Sequence, residues 1–354
     1  MTKKLLPAVI GMILAGGVAV VQADVQVMGH IDESINYIDG KNSPYVDKGD
    51  TETRFICTTC SIGFKGSEDL GNGLKALFFL DWQYDINQST GLTGRDQYLG
   101  LGGNFGTVKV GTTSTVYKSH GAMIDPGYRT VAQMRDVGLQ SELHSGKGTS
   151  GQGRNTNVIR YDSPSWNGLK FGANYTVNPD SNNTQDDNGY GAGISYENGG
   201  ILVYADYLTN DSGGDDEAYQ LGGKYTLNNF SVFGQYEFDK GLITDVRTDS
   251  LGQTNTGDDA NIWMAGASYA MGNNLIYAAY GQGDKAKTRV TSTNPTPPPA
   301  TVTNQVTADK YKSMEIVGIH NFSKRTLAYT GFVYVNPDDS SNINHYTLGV
   351  KHTF

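Results

Sequence analysis

The last thirteen residues, NINHYTLGVKHTF (342–354), alternate without a break. Side chains project to opposite faces of a strand, so Tyr346, Leu348, Val350, His352 and Phe354 share one face. His345, Thr347, Gly349, Lys351 and Thr353 share the other. A chain that ends on a half-apolar strand offers a sticky edge, which proteins blunt, cover or abolish by closing the sheet. The terminus therefore poses a choice between a sandwich strand and the closing strand of a barrel.

The remainder of the chain repeats the same unit of about ten alternating residues, a tight turn, ten more, and a longer polar stretch. LKALFFLDWQYD (74–85) and FSVFGQYEFD (230–239) are its clearest strands. In the second, Phe230, Val232, Gly234, Tyr236 and Phe238 lie opposite Ser231, Gln235, Glu237 and Asp239, with Phe233 as the exception. The tight turns read DLGNGL, GNFG, SPSWNG, ENGG, TLNN, AMGNN and NFSKR, where Asn and Gly supply the positive φ that hairpins require. Seven such hairpins, an opening strand at VQVMGHIDESINYI (25–38) and the closing strand predict sixteen strands. Short turns on one side and long loops on the other fit an all-β, antiparallel transmembrane barrel better than a soluble sandwich. No sustained helical period follows the first residues.

Those first residues, MTKKLLPAVIGMILAGGVAVVQAD, carry Lys3 and Lys4 before an apolar run and a small-residue cleavage site, which reads as a signal peptide over 1–23. The barrel domain is then expected over 24–354. The whole chain has 27 basic and 36 acidic residues; without Lys3 and Lys4 the balance is 25 to 36, a net of −11. That charge argues against a nucleic-acid partner. A hydrophobic content of 37% is low for a soluble core of this size, yet suits a barrel that is apolar only on its outer face.

The two cysteines, Cys57 and Cys60, sit in FICTTCSI (55–62). An exported chain favours a disulfide over free thiols. A regular strand holds residues i and i+3 about 10 Å apart, so the bond needs a turn or bulge, and we read it as a small structural loop staple. The redox-motif reading lacks a thioredoxin-like context, and a zinc site lacks further ligands. GLGGNFG (100–106) has Phe105 where a dinucleotide loop needs glycine, and GISYE and GASYA fail the nucleophile-elbow pattern. The sequence thus predicts no enzyme and no cofactor.

GFKGSEDLGNGLKA (63–76), YLGLGGNFGTVKVG (98–111), IRYDSPSWNGL (159–169), NFSKRT (321–326) and GVKHTF (349–354), in that order across the barrel, resemble Gram-negative general diffusion porins. The resemblance implies a sixteen-stranded barrel in the outer membrane, a homotrimer, and short periplasmic turns with long extracellular loops. It also implies a third loop, here about 115–155, folded inward to narrow the pore. Acids on that loop, Asp125, Asp136 and Glu142, are then expected to face basic residues of the wall. His30, Arg95 and Arg160 occupy inward basic positions of the family, while Ser61 stands where the second strand commonly carries arginine. Lys75 is expected in the lumen by alternation. The resemblance further implies that assembly machinery reads Phe354, and that lipid and lipopolysaccharide surround the barrel.

The expected function is passive diffusion of small hydrophilic solutes and ions, with weak cation preference from the surplus of acids. A solute-specific channel and a surface receptor or adhesin are the alternatives. For the second, the loop at 284–310 with TSTNPTPPPATVTNQ (291–305) is the relevant feature, and its Pro and Thr content favours an extended or disordered segment.

Overall fold

The computed structural model describes residues 24–40, 51–88, 91–146, 153–177, 188–210, 216–244, 260–294, 300–308 and 310–354. The leader expected over 1–23 lies outside them. No helix among the described residues is long and apolar enough to cross a membrane.

The chain runs through β1 (Asp24–Asp39), β2 (Thr51–Cys57), β3 (Ser61–Gly71), β4 (Leu74–Gln83), β5 (Thr93–Gly103) and β6 (Gly106–Ser114). After a long excursion come β7 (Arg154–Asp162), β8 (Leu169–Thr176), β9 (Gly189–Asn198), β10 (Ile201–Asn210), β11 (Asp216–Leu227) and β12 (Phe230–Lys240). The last group is β13 (Ile262–Met271), β14 (Asn274–Gly283), β15 (Ala286–Asn294), β16 (Ala300–Ala308), β17 (Tyr311–Asn321), β18 (Thr326–Pro337) and β19 (Ile343–Thr353). Every ladder is antiparallel, and β1 pairs with β19, so the sheet closes on itself. β15 and β16 pair only with each other, as a hairpin outside the barrel within the 284–310 loop.

β2 and β3 are two halves of one barrel strand, since β2 pairs with one end of β1 and β3 with the other. Counted so, sixteen strands circle the barrel. Between the pairs Glu33↔Cys57 and His30↔Ser61, β1 has two residues and its partner three, Thr58, Thr59 and Cys60. That extra residue is a β-bulge, which bends the strand and leaves a residue unpaired. Thr59 takes a φ of +51°, and a disulfide joins Cys57 to Cys60 across the bulge at a Cα separation of 5.8 Å. The bond thus lies within the barrel wall, not in a loop. The Asp32 backbone N–H, displaced from the ladder, donates to Cys60 Sγ at 3.3 Å.

Six of the seven tight turns place Asn or Gly at positive φ, while NFSKR turns without one. Asn72, Asn167, Asn228, Gly199, Gly200 and Gly272 adopt positive φ. Alternation holds through the strands: Leu99, Val110, Leu221, Leu348 and Val350 are exposed on the outer face. Paired rings form aromatic groups near the strand ends, such as Tyr175–Tyr190, Tyr236–Phe238 and Trp263–Tyr280, as interfacial girdles do. Tyr98 is not among them. It faces inward, stacked on Phe79 at 5.5 Å with Lys109 over its other side.

The chain terminus takes part in closure. The Phe354 N–H donates to Gly29 O at 3.0 Å, and Gly29 N–H returns a bond to Phe354 O at 3.2 Å. A side chain at Gly29 would collide with the Phe354 ring and with Ser61 O. Deleting Phe354 removes both bonds, each worth about 1 kcal/mol net, together with the ring contact. The folded barrel should therefore unfold at measurably lower urea. An unchanged midpoint would show that the final residue contributes nothing to closure.

Candidate functional site: a constriction built by the third loop

Between β6 and β7 the chain turns into the barrel. Thr115 caps the helix α1 (Val116–Gly121), its hydroxyl accepting from the Lys118 N–H at 3.2 Å. A helix of one and a half turns is too short to show an apolar period, which is why the sequence did not announce it. It approaches the wall closely because Gly172 on β8 and Gly193 on β9 leave room for Val116. Two single 3₁₀ turns follow, Met134–Asp136 and Glu142–His144.

The loop seats on the inner face of β10 to β18 through apolar contacts. Tyr117 and Leu143 pack with Leu208, Ala218 and Ile262. Ile124, Met134, Val137 and Leu139 pack with Leu202, Tyr204, Phe233 and Met264. Val131 and Ala132 pack with Tyr277, Val317 and Tyr329. These wall residues break the expected polar inner face, and they do so where the loop covers them. Wall groups also bond the loop directly. Lys224 Nζ donates to Met123 O at 3.0 Å, Tyr277 OH to Ala132 O at 3.1 Å, Ser313 Oγ to Val137 O at 2.5 Å and Lys351 Nζ to Tyr128 O at 3.2 Å. Glu237 is fully buried and accepts from Tyr117 OH at 2.8 Å and the Ser141 N–H at 2.9 Å, with the Ser141 hydroxyl also bonded.

The loop's other edge faces the wall of β1 to β7. Here Arg95 Nε pairs with Asp81 at 2.9 Å and its guanidinium reaches Gln83 at 3.0 Å. Arg154 Nε pairs with Asp96 at 2.7 Å. On the loop, Arg129 and Arg135 flank the Tyr128 ring at 5.7 and 5.5 Å, a cation–π arrangement on both sides. Arg129 takes a φ of +62° and lies within electrostatic range of His30 and Arg95. Burial, reinforced by Arg154 and Arg135, pulls the Lys118 ammonium well below its ordinary value.

The seven residues expected at the constriction divide. His30 is buried, its ring nitrogens bonded to Thr59 Oγ1 at 3.1 Å and Ser61 Oγ at 3.3 Å. Arg95 sits on the wall opposite the loop. Arg160 forms a two-pronged pair with Asp162, its nearest nitrogen–oxygen distance 2.7 Å, and donates to Ser114 O at 2.6 Å and Ser119 Oγ at 2.8 Å, tying down the loop's entry. Lys75 lies exposed near the turn between β3 and β4, remote in sequence register from Asp81. Asp125 is turned into the loop and accepts the N–H groups of Gly127 at 2.9 Å and Met134 at 3.0 Å. Burial pushes its carboxyl up to about 7. Asp136 is exposed, 3.6 Å from Arg135. Glu142 is exposed as the first residue of the second 3₁₀ turn. Lys147 lies outside the described residues.

Sequence reasoning missed Lys118, Arg154, Asp96 and Lys351 as members of this region. The inward parity of Asp96, Arg154 and Lys351 was readable, but the place of Lys118 on α1 and which wall faces the loop were not. Together the gap gathers Arg95, Arg154, Lys351, Lys118, Arg129 and Arg135 against Asp32, Asp81, Asp96, Asp136 and a withdrawn Asp125. No group of three metal-binding side chains occurs among the described residues.

Comparison with known proteins gives one consistent result. A family model described as Gram-negative porin matches residues 8–340. The major outer membrane protein P.IB of Neisseria sicca is 28% identical, covering 98% of this chain and 99% of its own. Among solved structures, the anion-selective porin from Comamonas acidovorans superposes with a TM-score of 0.71 at 20% identity, covering 94% of this chain and 100% of its own. The trimer form of OmpT from Vibrio cholerae gives 0.63 at 12% identity, covering 94% and 99%.

The anchoring of the loop's entry is open to test. Arg160→Met leaves Ser114 O without its charged donor, at a cost of roughly 1–3 kcal/mol, or about five- to 150-fold in local opening. Hydrogen exchange over 116–122 should quicken accordingly while strand amides stay protected. Unchanged exchange would show that Arg160 does not hold the loop.

Proposed function

This chain belongs to the Gram-negative porin family, and we propose that its constriction passes small hydrophilic solutes and ions passively, with a weak preference for anions. The family and the closed barrel make it an outer-membrane channel protein and not an enzyme. Only a barrel or a helix satisfies every backbone group within lipid, and this chain crosses with strands.

The cation preference expected from the sequence rested on inward Asp32, Asp81, Asp85 and Asp162, on the loop acids Asp125, Asp136 and Glu142, and on the net of −11. One observation weighs against it: the loop edge facing β1 to β7 presents Arg129, while Asp125 is spent on backbone N–H groups and Arg135 is turned to the His144 carbonyl. Arg95 and Arg154 are offset by Asp81 and Asp96, and Asp136 faces Arg135. Arg129 has no carboxylate partner among the described residues. The net of −11 belongs largely to more distant groups, and salt screens charges beyond about 10 Å at 0.1 M. The local surplus at the narrowest point therefore outweighs the global balance. The anion selectivity of the Comamonas acidovorans porin points the same way.

A homotrimer is part of this reading, supported by the trimer form of the Vibrio cholerae barrel. So are lipid and lipopolysaccharide around the apolar band, and recognition of Phe354 by the assembly machinery. No cofactor or energy source enters.

Purified protein in a planar bilayer should give stepwise conductance that scales with salt. Under a KCl gradient at low salt the reversal potential should show chloride preference, and R129E with R135E should move it toward potassium. A potassium preference in the unaltered protein would restore the sequence-based expectation. Absence of current from folded protein would favour a plugged receptor.

A further inference from the structure

Two aromatic rings face the lumen outside the cover of the loop. The large inward rings of β10 to β18, Tyr204, Phe233, Tyr277 and Tyr329, lie in buried clusters with residues of the loop. Phe79 on β4 and Tyr98 on β5 stand on the other wall and belong to none of the buried clusters. Their direction follows from parity, because Leu80 and Leu99 beside them are exposed on the outer face. Phe79 and Tyr98 are cross-strand partners, and their rings stack at 5.5 Å with 7° between the planes. Both stay partly exposed. Apolar surface held open to water is the informative exception in a folded chain. The loop, which accounts for the other inward rings, does not account for these two.

The neighbours give this place a sign and a position. Lys65 on β3 is the cross-strand partner of Phe79 on the side away from Tyr98. It is exposed and makes no ion pair among the described residues. Lys109 on β6 lies over the Tyr98 ring at 5.3 Å, but its charge is offset by Asp162 at 2.8 Å. Asp162 is also held by Arg160, and Asp81 by Arg95, so the unpaired charge beside the rings is that of Lys65. Phe79 lies two residues before Asp81 on β4, about 7 Å nearer the tight turns. A solute leaving the constriction on that side therefore meets Lys65, Phe79 and Tyr98 next.

We propose that Lys65, Phe79 and Tyr98 form a binding subsite for small aromatic carboxylates on the tight-turn side of the constriction. The free face of Phe79 is the one beside Lys65, so a flat ring stacked there brings its carboxylate to the ammonium. Offset-stacked rings gain beyond the area that they bury. The ammonium adds a charge-assisted hydrogen bond that a neutral solute does not make. Tyr98 backs Phe79 and fixes its plane, so the platform is in place before the solute arrives. An anion without a ring gains only an exposed, salt-screened charge contact, and a ring without a charge gains only the stack. The inference refines the anion preference and rests on the reading of the barrel as an open channel.

Benzoate added to purified protein in a planar bilayer at low salt should lower the single-channel current saturably. Cyclohexanecarboxylate, equal in charge and close in size but without a flat ring, should need roughly two- to tenfold more for the same block. Phe79→Leu keeps apolar bulk and removes the ring. In F79L the two anions should block alike, each read against that variant's own current in KCl. Lys65→Gln should weaken both anions together and leave their ratio in place. Equal block by the two anions in the unaltered protein would overturn the proposal, as would a benzoate preference that survives in F79L or unchanged block in K65Q. Tyr98→Leu tests the same stack from its other ring should F79L not fold, and a full preference there would count equally against the platform. Stepwise current in KCl alone tests the channel reading separately. An open pore that both anions block equally refutes this proposal and leaves that reading intact.

Discussion

Backbone hydrogen bonding in lipid governs this structure. Each N–H and C=O exposed to hydrocarbon without a partner costs several kcal/mol, so a sheet that crosses a membrane must have no edge. The pairing of β1 with β19 meets that demand, and it sets the remaining features. It fixes the parity of all strands, so that one set of residues meets lipid and the other faces inward. It also places the C-terminal residue against Gly29, where a larger residue would not fit. The bulge at Thr58–Cys60 is one of the places where the ladder is interrupted; the register also shifts between Asp69 and Gly71, Leu80 and Trp82, and Gly111 and Thr113. At Thr58–Cys60 the disulfide and the Asp32 bonds to Cys60 Sγ and from the Thr58 N–H take over from regular pairing.

Closure creates an interior, and the third loop divides it. A barrel of this size could be filled only with water, but the inner face of β10 to β18 carries Leu202, Phe233, Met264 and Val317, which need cover. The loop supplies it with Ile124, Met134, Leu139 and Leu143. The hydrophobic effect thus presses the loop against one wall, and buried polar contacts such as those of Glu237 fix its position along that wall. What remains open is the gap toward β1 to β7, so the packing of one side decides which charges meet solutes on the other. The asymmetry of the lumen is a consequence of where the apolar inner residues lie.

The strands and turns were legible in the sequence because each rests on local rules. ENGG and TLNN need positive φ, and FSVFGQYEFD alternates. The inner apolar residues of strands such as ILVYADYL were not singled out in the sequence, because a polar inner face was expected and alternation alone does not say what covers them. Phe233 was marked as an exception and proves to be one member of a packed group. The break in the second barrel strand was signalled only by the spacing of Cys57 and Cys60, because a bulge costs one residue and leaves the period intact on either side. The loop's charges were the least legible part. Asp125 and Arg129 are both polar residues of one loop, yet one turns to backbone N–H groups and the other to the gap. That outcome depends on the φ of Arg129 and on the partner at Met134, neither of which a residue type encodes.

The central claim is that the loop is seated on the wall in the conducting state. The contact between Ser313 on β17 and the Val137 carbonyl offers the most direct test, because the two residues belong to wall and loop respectively. With cysteines at Ser313 and Val137, oxidation should form a cross-link in the folded trimer, and single-channel conductance should be the same before and after. Failure to cross-link, or a cross-link that closes the channel, would contradict the account by showing that the loop conducts from another position.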